Sequence, residues 1–197
     1  MKRDPKIFSS LEKFLPGVKS IICFSFSYFQ KDERETPLGH GRIARYAWGR
    51  DYHRQLKKRL ENLIQELGLD FKYRIFTDAV PLLERALGAK AYSSFVGKNT
   101  ILIQPGIGSY NFLAEVLVDC ELEGESQTTS ASCKTCTSCL NDCPTDAFDS
   151  PYSLDARKCI SYLTIEKRSA FNSWEQEAIG DWPVSYTHLR AHETNVD

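Results

Sequence analysis

A closely spaced run of four cysteines followed by proline constrains this chain more than any other feature. The run is Cys133-Lys-Thr-Cys136-Thr-Ser-Cys139-Leu-Asn-Asp-Cys143-Pro144. Its C-x2-C-x2-C-x3-C-P spacing is that of bacterial iron–sulfur loops, in which the fourth cysteine serves a different cluster from the first three. The segment therefore predicts iron–sulfur ligation and implies two clusters. Cys159 follows sixteen residues after Cys143 and is a candidate ligand of the second cluster.

The number of cysteines limits what this region can bind. Each 4Fe–4S cluster takes about four thiolates, so two clusters need more than the seven cysteines of the whole chain. Zinc is the alternative metal, but tetrahedral zinc usually draws paired ligands from two separate knuckles, and the second pair is missing. Disulfides fit poorly, because they belong to oxidising compartments. The apolar run 20–29 is short and broken by serines, so we expect no membrane span and a reducing cytoplasm.

Charge is distributed unevenly along the chain. The formal net charge is only -1, yet the stretch 40–59 holds seven basic residues against one acid, Asp51. Such a stripe fits either a phosphate-bearing partner or a solvated helix face. The basic residues are Arg42, Arg45, Arg50, Arg54, Lys57, Lys58 and Arg59.

Hydrophobic periodicity predicts alternating strands and helices over the first ~125 residues, which we expect to form one mixed sheet with helices. Cys23 lies within the first predicted strand, where a small buried hydrophobe is the expected role. Asp78 stands at a strand-to-helix turn, where an acid is either a cap or turn residue or a functional group. The predicted strands are 18–29, 71–77, 99–104 and 110–122, the last two joined by the PGIGS turn, and the predicted helices cover 51–67 and 81–91.

Two further segments complete the chain. Residues 121–132 are small and polar and predict a linker before the cysteine loop, and 153–168 has a helix-like pattern that holds Cys159. The final residues, PVSYTHLRAHETNVD, contain His188 and His192. This pair indicates either a second metal site or a segment foreign to the natural protein, and we interpret the last ~15 residues as non-native.

Several short segments of the sequence (words) match those of one family and occur in the same order. They are RYAWGRDYHRQLKKRL (45–60), TDAVPLLERALG (77–88), VGKNTILIQPGIGSYNFLAEV (96–116), CKTCTSCLNDCPTDAF (133–148) and LDARKCISYLTIEKR (154–168). On these words the chain resembles the epoxyqueuosine reductases, cobalamin-dependent iron–sulfur enzymes of tRNA modification. The words span most of positions 16–170, and CISYLTIE beside the cysteine loop is the most distinctive.

The resemblance implies an α+β fold with a nitroreductase-like cobalamin-binding α/β sandwich domain, followed by a partial ferredoxin-like 4Fe–4S domain. We place these domains at 1–125 and 126–170, with a tail at 171–197. Members of the family carry a further C-x2-C-x3-C-P element, helical repeats after it and additional residues before the start, all missing here. We therefore expect a truncated fragment. Phe95 also stands where members often have tryptophan.

The resemblance also implies roles for individual residues. Cys133, Cys136 and Cys139 resemble ligands of the first cluster, and Cys143 and Cys159 resemble ligands of the second. Asp78 resembles the proton donor, a role that requires burial beside the corrin to raise its pKa from ~3.9 toward neutrality. The residues that resemble cofactor contacts are Tyr46, Arg50, His53, Lys98 and Ser161. For His53 the alternative is a surface helix histidine, for Lys98 a solvated loop lysine, and Tyr46 and Arg50 fit the cofactor or an RNA backbone equally.

The function implied is reduction of epoxyqueuosine to queuosine at the wobble position of tRNA, with cobalamin and two 4Fe–4S clusters as cofactors. The partners implied are the tRNA anticodon stem-loop and an external low-potential electron donor, with the chain a monomer and no membrane involved. Two alternatives are a ferredoxin-type electron-transfer protein and a cobalamin-dependent enzyme similar to the reductive dehalogenases. The basic stripe favours the RNA substrate, because a small organohalide gives no reason for it.

Overall fold

The computed structural model describes residues 11–31, 37, 40–68, 70–78, 82–124 and 129–182. The chain divides into two compact units, neither of which is continuous in sequence. The first unit is Met1–Ser27, Arg50–Ser94 and Asn111–Thr129, and the second is Tyr28–Gly49, Phe95–Tyr110 and Ser130–Asp197. Segments 28–49 and 95–110, predicted to lie in the first domain, group with the second unit, and the linear boundary near residue 125 stays a prediction.

Seven strands and five helices are found in the described residues. The strands are β1 (Ser20–Ser27), β2 (Tyr73–Phe76), β3 (Phe95–Val96), β4 (Leu102–Ile103), β5 (Asn111–Val118), β6 (Phe148–Ser150) and β7 (Ser153–Leu154). The helices are α1 (Tyr52–Leu67), α2 (Glu84–Ala91), α3 (Ser138–Asn141), α4 (Ile160–Ile165) and α5 (Ser173–Ile179). Short 3-10 turns lie at Leu11–Lys13 and Arg45–Ala47. No helix in this described part of the chain has the length and apolarity needed to cross a membrane.

The first unit is built on a three-stranded antiparallel sheet in the order β1-β5-β2. Successive side chains of a strand point to opposite faces, so the central strand β5 contributes to two apolar clusters. On one face Ala114, Val116 and Val118 pack with residues of α1. On the other face Leu117 packs with Phe76 and neighbouring side chains. By the same alternation Glu115 shares the face of Leu117, although it is an acid in the centre of the sheet.

The first unit's long helix, α1, was predicted correctly at both ends. The Asp51 side chain accepts a hydrogen bond from the His53 backbone N–H at 3.0 Å and caps the start. Gly68 ends the helix with φ 60, a left-handed conformation that glycine adopts without a Cβ penalty. The buried face consists of Leu56, Leu60 and Ile64. The basic residues between them are exposed.

The two strands predicted on either side of the PGIGS turn are present, but they do not lie in one sheet. Gln104 and Gly108 do close a tight turn through reciprocal backbone hydrogen bonds of 3.0 and 2.8 Å. Beyond this turn, however, β4 pairs with β3, and β5 pairs with β1 and β2. The eight-residue strand β1 offers β5 a full-length apolar partner, whereas β4 has only two residues. The expected single mixed sheet is therefore an antiparallel sheet in the first unit and a separate pair in the second.

The C-terminal part of the second unit contains α3, the β6-β7 pair, α4 and α5. Its core consists of Ile160, Leu163 and Ile179. The predicted helix over 153–168 is confirmed only in part, because 153–154 form β7 and the helix begins at Ile160. The start of the predicted tail is also folded, as Asn172 and Glu175 form a capping box for α5. His188 and His192 lie outside the described residues.

Candidate functional site

Asp78 stands at the end of β2 in a constrained backbone conformation. The strand ends at Phe76, Thr77 is 5% exposed, and Asp78 has φ 51. Positive φ is uncommon for residues other than glycine, and Asp and Asn tolerate it best. The Asp78 backbone N–H donates to Glu84 Oε1 at 2.9 Å, which ties this turn to the start of α2. The Asp78 carboxylate is left half exposed, at 53%.

Two aromatic side chains from the first turn of α1 reach the Asp78 carboxylate. The Tyr52 hydroxyl donates a short hydrogen bond to Asp78 Oδ2, and His53 Nε2 lies 3.9 Å from the same oxygen. Tyr52 stacks on Phe112 of β5 with ring centroids 4.0 Å apart and planes 8° apart. The His53 ring stacks on Tyr52, also at 4.0 Å, while its Nδ1 lies 3.0 Å from Asp51 Oδ1. The helix cap and the stacked rings therefore fix both groups beside the acid.

The structure brings together the predicted residues Asp78 and His53, and adds Tyr52, which the sequence analysis missed. A signal was available, because a cap at Asp51 makes the next two residues the first turn of the helix. Arg50 is exposed immediately before that cap. A carboxyl, a phenol and an imidazole, all of which can exchange protons, therefore lie beside one another at one end of the sheet.

One buried and one partly buried glutamate, Glu115 and Glu84, lie behind Asp78 and were also missed. Glu115 is 1% exposed, and the carboxyl of Glu84 lies close enough to influence it. Burial, followed by the nearby Glu84 charge, raises the pKa of Glu115 to about 8. Burial, followed by the charge of Asp78, raises the pKa of Glu84 to about 7. The sequence signal was an acid in the middle of the apolar strand NFLAEVLV.

The thiol of Cys23 faces the same buried acids. Cys23 of β1 is paired in register with Glu115. Burial, with a further contribution from Glu115, raises the pKa of the Cys23 thiol to about 11. A thiol with such a raised pKa stays protonated and unreactive near neutral pH, which agrees with the expected role of a small hydrophobe.

In the second unit, the predicted cluster ligands interact as two sets. Burial raises the pKa of Cys139, and the thiolates of Cys133 and Cys136 raise it further. Burial also raises the pKa of Cys159, and in this case Cys143 adds to the effect. The assignment of these thiols to two separate clusters stays a prediction. All seven thiols are free of disulfides, and among the described residues no group of three or more metal-binding side chains is already within reach of one ion.

Backbone N–H groups point at the sulfurs of both sets, which suits thiolate ligands. Lys98 N–H donates to Cys133 Sγ at 3.3 Å, and Ala147 N–H donates to Cys143 Sγ at 3.4 Å. Cys159 sits at the N-cap of α4, where the N–H groups of Ser161 and Tyr162 lower its pKa against the effect of burial. Hydrogen bonds to sulfur stabilise thiolates and tune cluster potentials. The donor set therefore fits iron–sulfur clusters, and Ser161 contributes to it through its backbone.

Lys98 holds the cysteine loop in place. Its Nζ donates to the carbonyl oxygens of Lys134 and Cys136, both at 2.8 Å. Its own carbonyl accepts from the Tyr152 N–H at 2.8 Å, so both ends of the residue are tied to neighbouring segments of the second unit. Lys98 is therefore not a solvated loop lysine, and its predicted contact with a cofactor stays a prediction.

The remaining predicted site residues and the basic stripe are divided between the two units. Tyr46 lies in a 3-10 turn of the second unit, where burial raises its pKa. In the same unit Arg42 pairs with Asp181 at 2.8 Å, and Arg45 Nε donates to Gln30 O at 2.7 Å. Arg42 and Arg45 therefore belong to the second unit. The other basic residues of the stripe are exposed and lie in α1 of the first unit or, for Arg50, just before it.

Comparison with known proteins gives one consistent family. A family model described as "Epoxyqueuosine reductase QueG, DUF1730" matches residues 9–79. A second model, "4Fe-4S double cluster binding domain", matches residues 132–187. An epoxyqueuosine reductase from Xanthomonas campestris pv. campestris is 40% identical over 178 residues, which cover 86% of this chain and 50% of the relative. One from Synechocystis sp. is 39% identical over 163 residues, covering 81% of this chain and 56% of the relative.

Solved structures agree with the sequence relatives. An epoxyqueuosine reductase crystallised with an epoxyqueuosine-modified tRNA-Tyr stem loop matches with a TM-score of 0.85 and 28% identity. The match covers 99% of this chain and 53% of that protein. The chain thus spans about half the length of the relatives that it matches.

Proposed function

Because this chain belongs to the epoxyqueuosine reductase family, we propose that it takes part in reducing epoxyqueuosine to queuosine in the tRNA anticodon loop. The reaction converts an epoxide to an alkene and releases its oxygen as water. It consumes two electrons and two protons, so the protein must supply both a low-potential reductant and a positioned acid.

The observation that carries the proposal is the group around Asp78. A half-exposed carboxyl is held by Tyr52 and faced by His53 at the end of β2. In this role Asp78 gives its proton to the leaving oxygen, and Tyr52 fixes the orientation of the carboxyl. The epoxyqueuosine reductase of Bacillus subtilis is described with a catalytic aspartate loop that has swung out of the active site. This description supports a catalytic role for an acid on a loop.

The clusters would be held by the two thiol sets of the second unit. Cys133, Cys136 and Cys139 are the ligands proposed for the first cluster, and Cys143 and Cys159 those proposed for the second. When bound, the clusters supply single electrons at low potential. Lys98 then keeps the first loop in a fixed conformation through its two hydrogen bonds to carbonyl oxygens.

Cobalamin is proposed as the second cofactor, within a nitroreductase-like α/β sandwich. The corrin periphery is rich in amides, and the exposed hydrogen-bonding side chains of Arg50 and His53 fit such a ligand chemically. When bound and reduced, cobalamin supplies a strong nucleophile or one-electron donor. Tyr46, Lys98 and Ser161 remain proposed contacts.

The proposed partner is the tRNA anticodon stem-loop. Exposed basic residues on α1 supply a sequence-independent attraction to phosphates, and one solved relative binds a tRNA stem loop. An external low-potential electron donor, a monomeric state and a cytoplasmic location complete the proposal.

The test is a single-turnover assay with the full-length product of the gene that encodes this chain. The protein is reconstituted with cobalamin and iron–sulfur clusters, reduced anaerobically, and mixed with an anticodon stem-loop that carries epoxyqueuosine. We expect queuosine to appear and to be detected by mass spectrometry of the digested RNA. Clusters that reduce normally without any queuosine formation would instead support the electron-transfer alternative.

A further inference from the structure

Three carboxyl groups form a continuous row from the interior of the first unit to the Asp78 site. Glu115 lies in the centre of the sheet, and the carboxyl of Glu84 at the start of α2 is close enough to raise its pKa. Oε1 of Glu84 in turn accepts a hydrogen bond from the Asp78 backbone N–H at 2.9 Å, and the charge of Asp78 raises the pKa of Glu84. Neighbouring carboxyls with no cation between them disfavour ionisation of one another. The row therefore favours retained protons.

The surroundings of the inner glutamate prevent it from ionising easily. Glu115 is 1% exposed, and its Oε2 has no hydrogen-bond partner among the described residues. The titratable groups that act on Glu115 or share its surroundings are Glu84, Asp78, Cys23 and Tyr92, and none of them is basic. The pKa values of Cys23 and Tyr92 are raised by burial and by Glu115, so neither provides a compensating cation. A buried carboxyl without a cation is stable only in its neutral form.

The number of protons that epoxide reduction consumes indicates a function for this row of carboxyl groups. Removing the oxygen as water needs two protons, whereas the Asp78 carboxyl carries at most one. A substrate that presents its epoxide to Asp78 covers the exposed side of that carboxyl. The second proton then reaches Asp78 from a neighbouring group of the protein, and among these neighbours Glu84 connects Asp78 to the buried carboxyl of Glu115.

We propose that Glu84 and Glu115 form an internal proton store that reloads Asp78 within one turnover, an inference that rests on the function proposed above. Asp78 first transfers its proton to the epoxide oxygen as the carbon–oxygen bond breaks. The proton of Glu84 then moves to Asp78, and that of Glu115 moves to Glu84. Asp78 gives the second proton to the same oxygen, which leaves as water. The external donor supplies the two electrons, and solvent refills the store between turnovers.

The raised pKa values of the two glutamates support the geometry. The pKa of Glu84 is raised to about 7 and that of Glu115 to about 8, so the pair keeps at least one proton at neutral pH. A group with a pKa near the working pH transfers protons most effectively, because it is both available as an acid and readily refilled. At a pH above both of these pKa values the two glutamates are ionised, and the store no longer holds protons.

The experiment compares Glu115→Gln with the parent protein and with Glu66→Gln, an exposed helix residue that serves as control. Both variants are made in the full-length protein, loaded with cofactors and pre-reduced. The first readout is the infrared carboxylic-acid band at neutral pH. The second is the single-turnover rate as a function of pH. We expect Glu115→Gln to lose the buried acid band and about 10²-fold in rate, the lower part of the range for a proton-transfer group. Glu66→Gln should retain both.

The outcomes separate this inference from the proposed function. If the parent converts the substrate and Glu115→Gln does so at an unchanged rate with the same pH profile, the proton store is overturned and the proposed function stands. Absence of a protonated buried carboxyl in the parent also overturns the store. A parent that forms no queuosine overturns the proposed function and the reloading step with it, whatever the infrared result. If Glu115→Gln does not fold, as judged by circular dichroism, Glu84→Gln replaces it, with the same expected losses and the same contradicting results.

Discussion

The hydroxyl of Tyr52 donates a hydrogen bond to Asp78 Oδ2, joining two residues that are twenty-six positions apart in the sequence. The interaction depends on the cap that starts α1 and on the end of β2, and Phe112 holds the phenol ring flat against β5. The site is therefore assembled by three elements of the first unit. Removing the hydroxyl or the carboxyl should affect chemistry far more than folding.

Asp78→Asn should block turnover. Asparagine tolerates the left-handed φ of this position, so the turn should be kept while the transferable proton is removed. We expect a 10²–10⁴-fold loss in single-turnover rate with pre-reduced enzyme, the range typical of a positioned acid. Asp70→Asn, an exposed change outside the site, should have no effect. A rate within about threefold of the parent, well short of that range, would leave Asp78 with only a turn role.

Tyr52→Phe should slow the reaction while leaving the stacked rings intact. The variant loses one hydrogen bond to a carboxylate, which is worth roughly 1.5 kcal/mol or more and corresponds to about a tenfold lower rate. Single-turnover kinetics and thermal unfolding should be measured together. Tyr162→Phe, at a partly exposed position in the second unit, serves as the control. A drop in melting temperature that parallels the loss of rate would point to a structural role.

Lys98→Met should destabilise the first cluster loop. The variant lacks the two hydrogen bonds from Nζ to the carbonyls of Lys134 and Cys136, each of which is charge-assisted. We expect iron to be released to a chelator at least about tenfold faster, given about 1.5–3 kcal/mol for such a bond. The control is Lys134→Met, which removes one positive charge from the cysteine loop but keeps the two hydrogen bonds from Lys98 Nζ. Equal release rates for the two variants would mean that positive charge, rather than these hydrogen bonds, holds the loop.

Stability should fall as the pH rises, because of Glu115. Its pKa in the folded protein is raised from 4.5 to about 8, so the folded state binds more protons than the unfolded state in this window. The contribution of Glu115 to stability is fully present below the unfolded-state pKa of 4.5 and is lost as the pH rises through the folded-state pKa of about 8. Urea unfolding at several pH values should show this decline for the parent and a flatter profile for Glu115→Gln. Parallel profiles would contradict the raised pKa.

Basic residues on the exposed face of α1 should contact tRNA phosphates. Neutralising Arg54 and Lys58 together should weaken binding to different tRNAs by similar factors. The slope of log affinity against log salt should fall by about one unit for each phosphate that the variant no longer neutralises. Arg74→Gln, an exposed change on β2 outside the stripe, should leave the slope unaltered. An unchanged slope in the double variant would identify this side of α1 as an ordinary solvated face.

Features that depend on residues close together in the chain could be predicted from the amino-acid sequence. The spacing from Cys133 to Cys143 predicted the thiol loop, and a family model for a double 4Fe–4S domain matches that region. The helical periodicity over 51–67 predicted α1, which spans Tyr52–Leu67. Caps, helical periodicity and ligand spacing are local properties, so no knowledge of the fold was needed to recognise them.

Contacts between residues far apart in the chain became visible in the folded protein. Local pattern placed β4 and β5 in one sheet, although they belong to two, because a strand's own sequence does not state which of several apolar strands will lie beside it. The choice of β1 as partner placed Cys23 opposite Glu115. The packing of α2 brought Glu84 to Asp78, and Lys98 reached the cysteine loop thirty-five residues further along the chain. The sequence shows Glu115 only as an acid within an apolar strand, because its burial and its acidic neighbours follow from these long-range contacts.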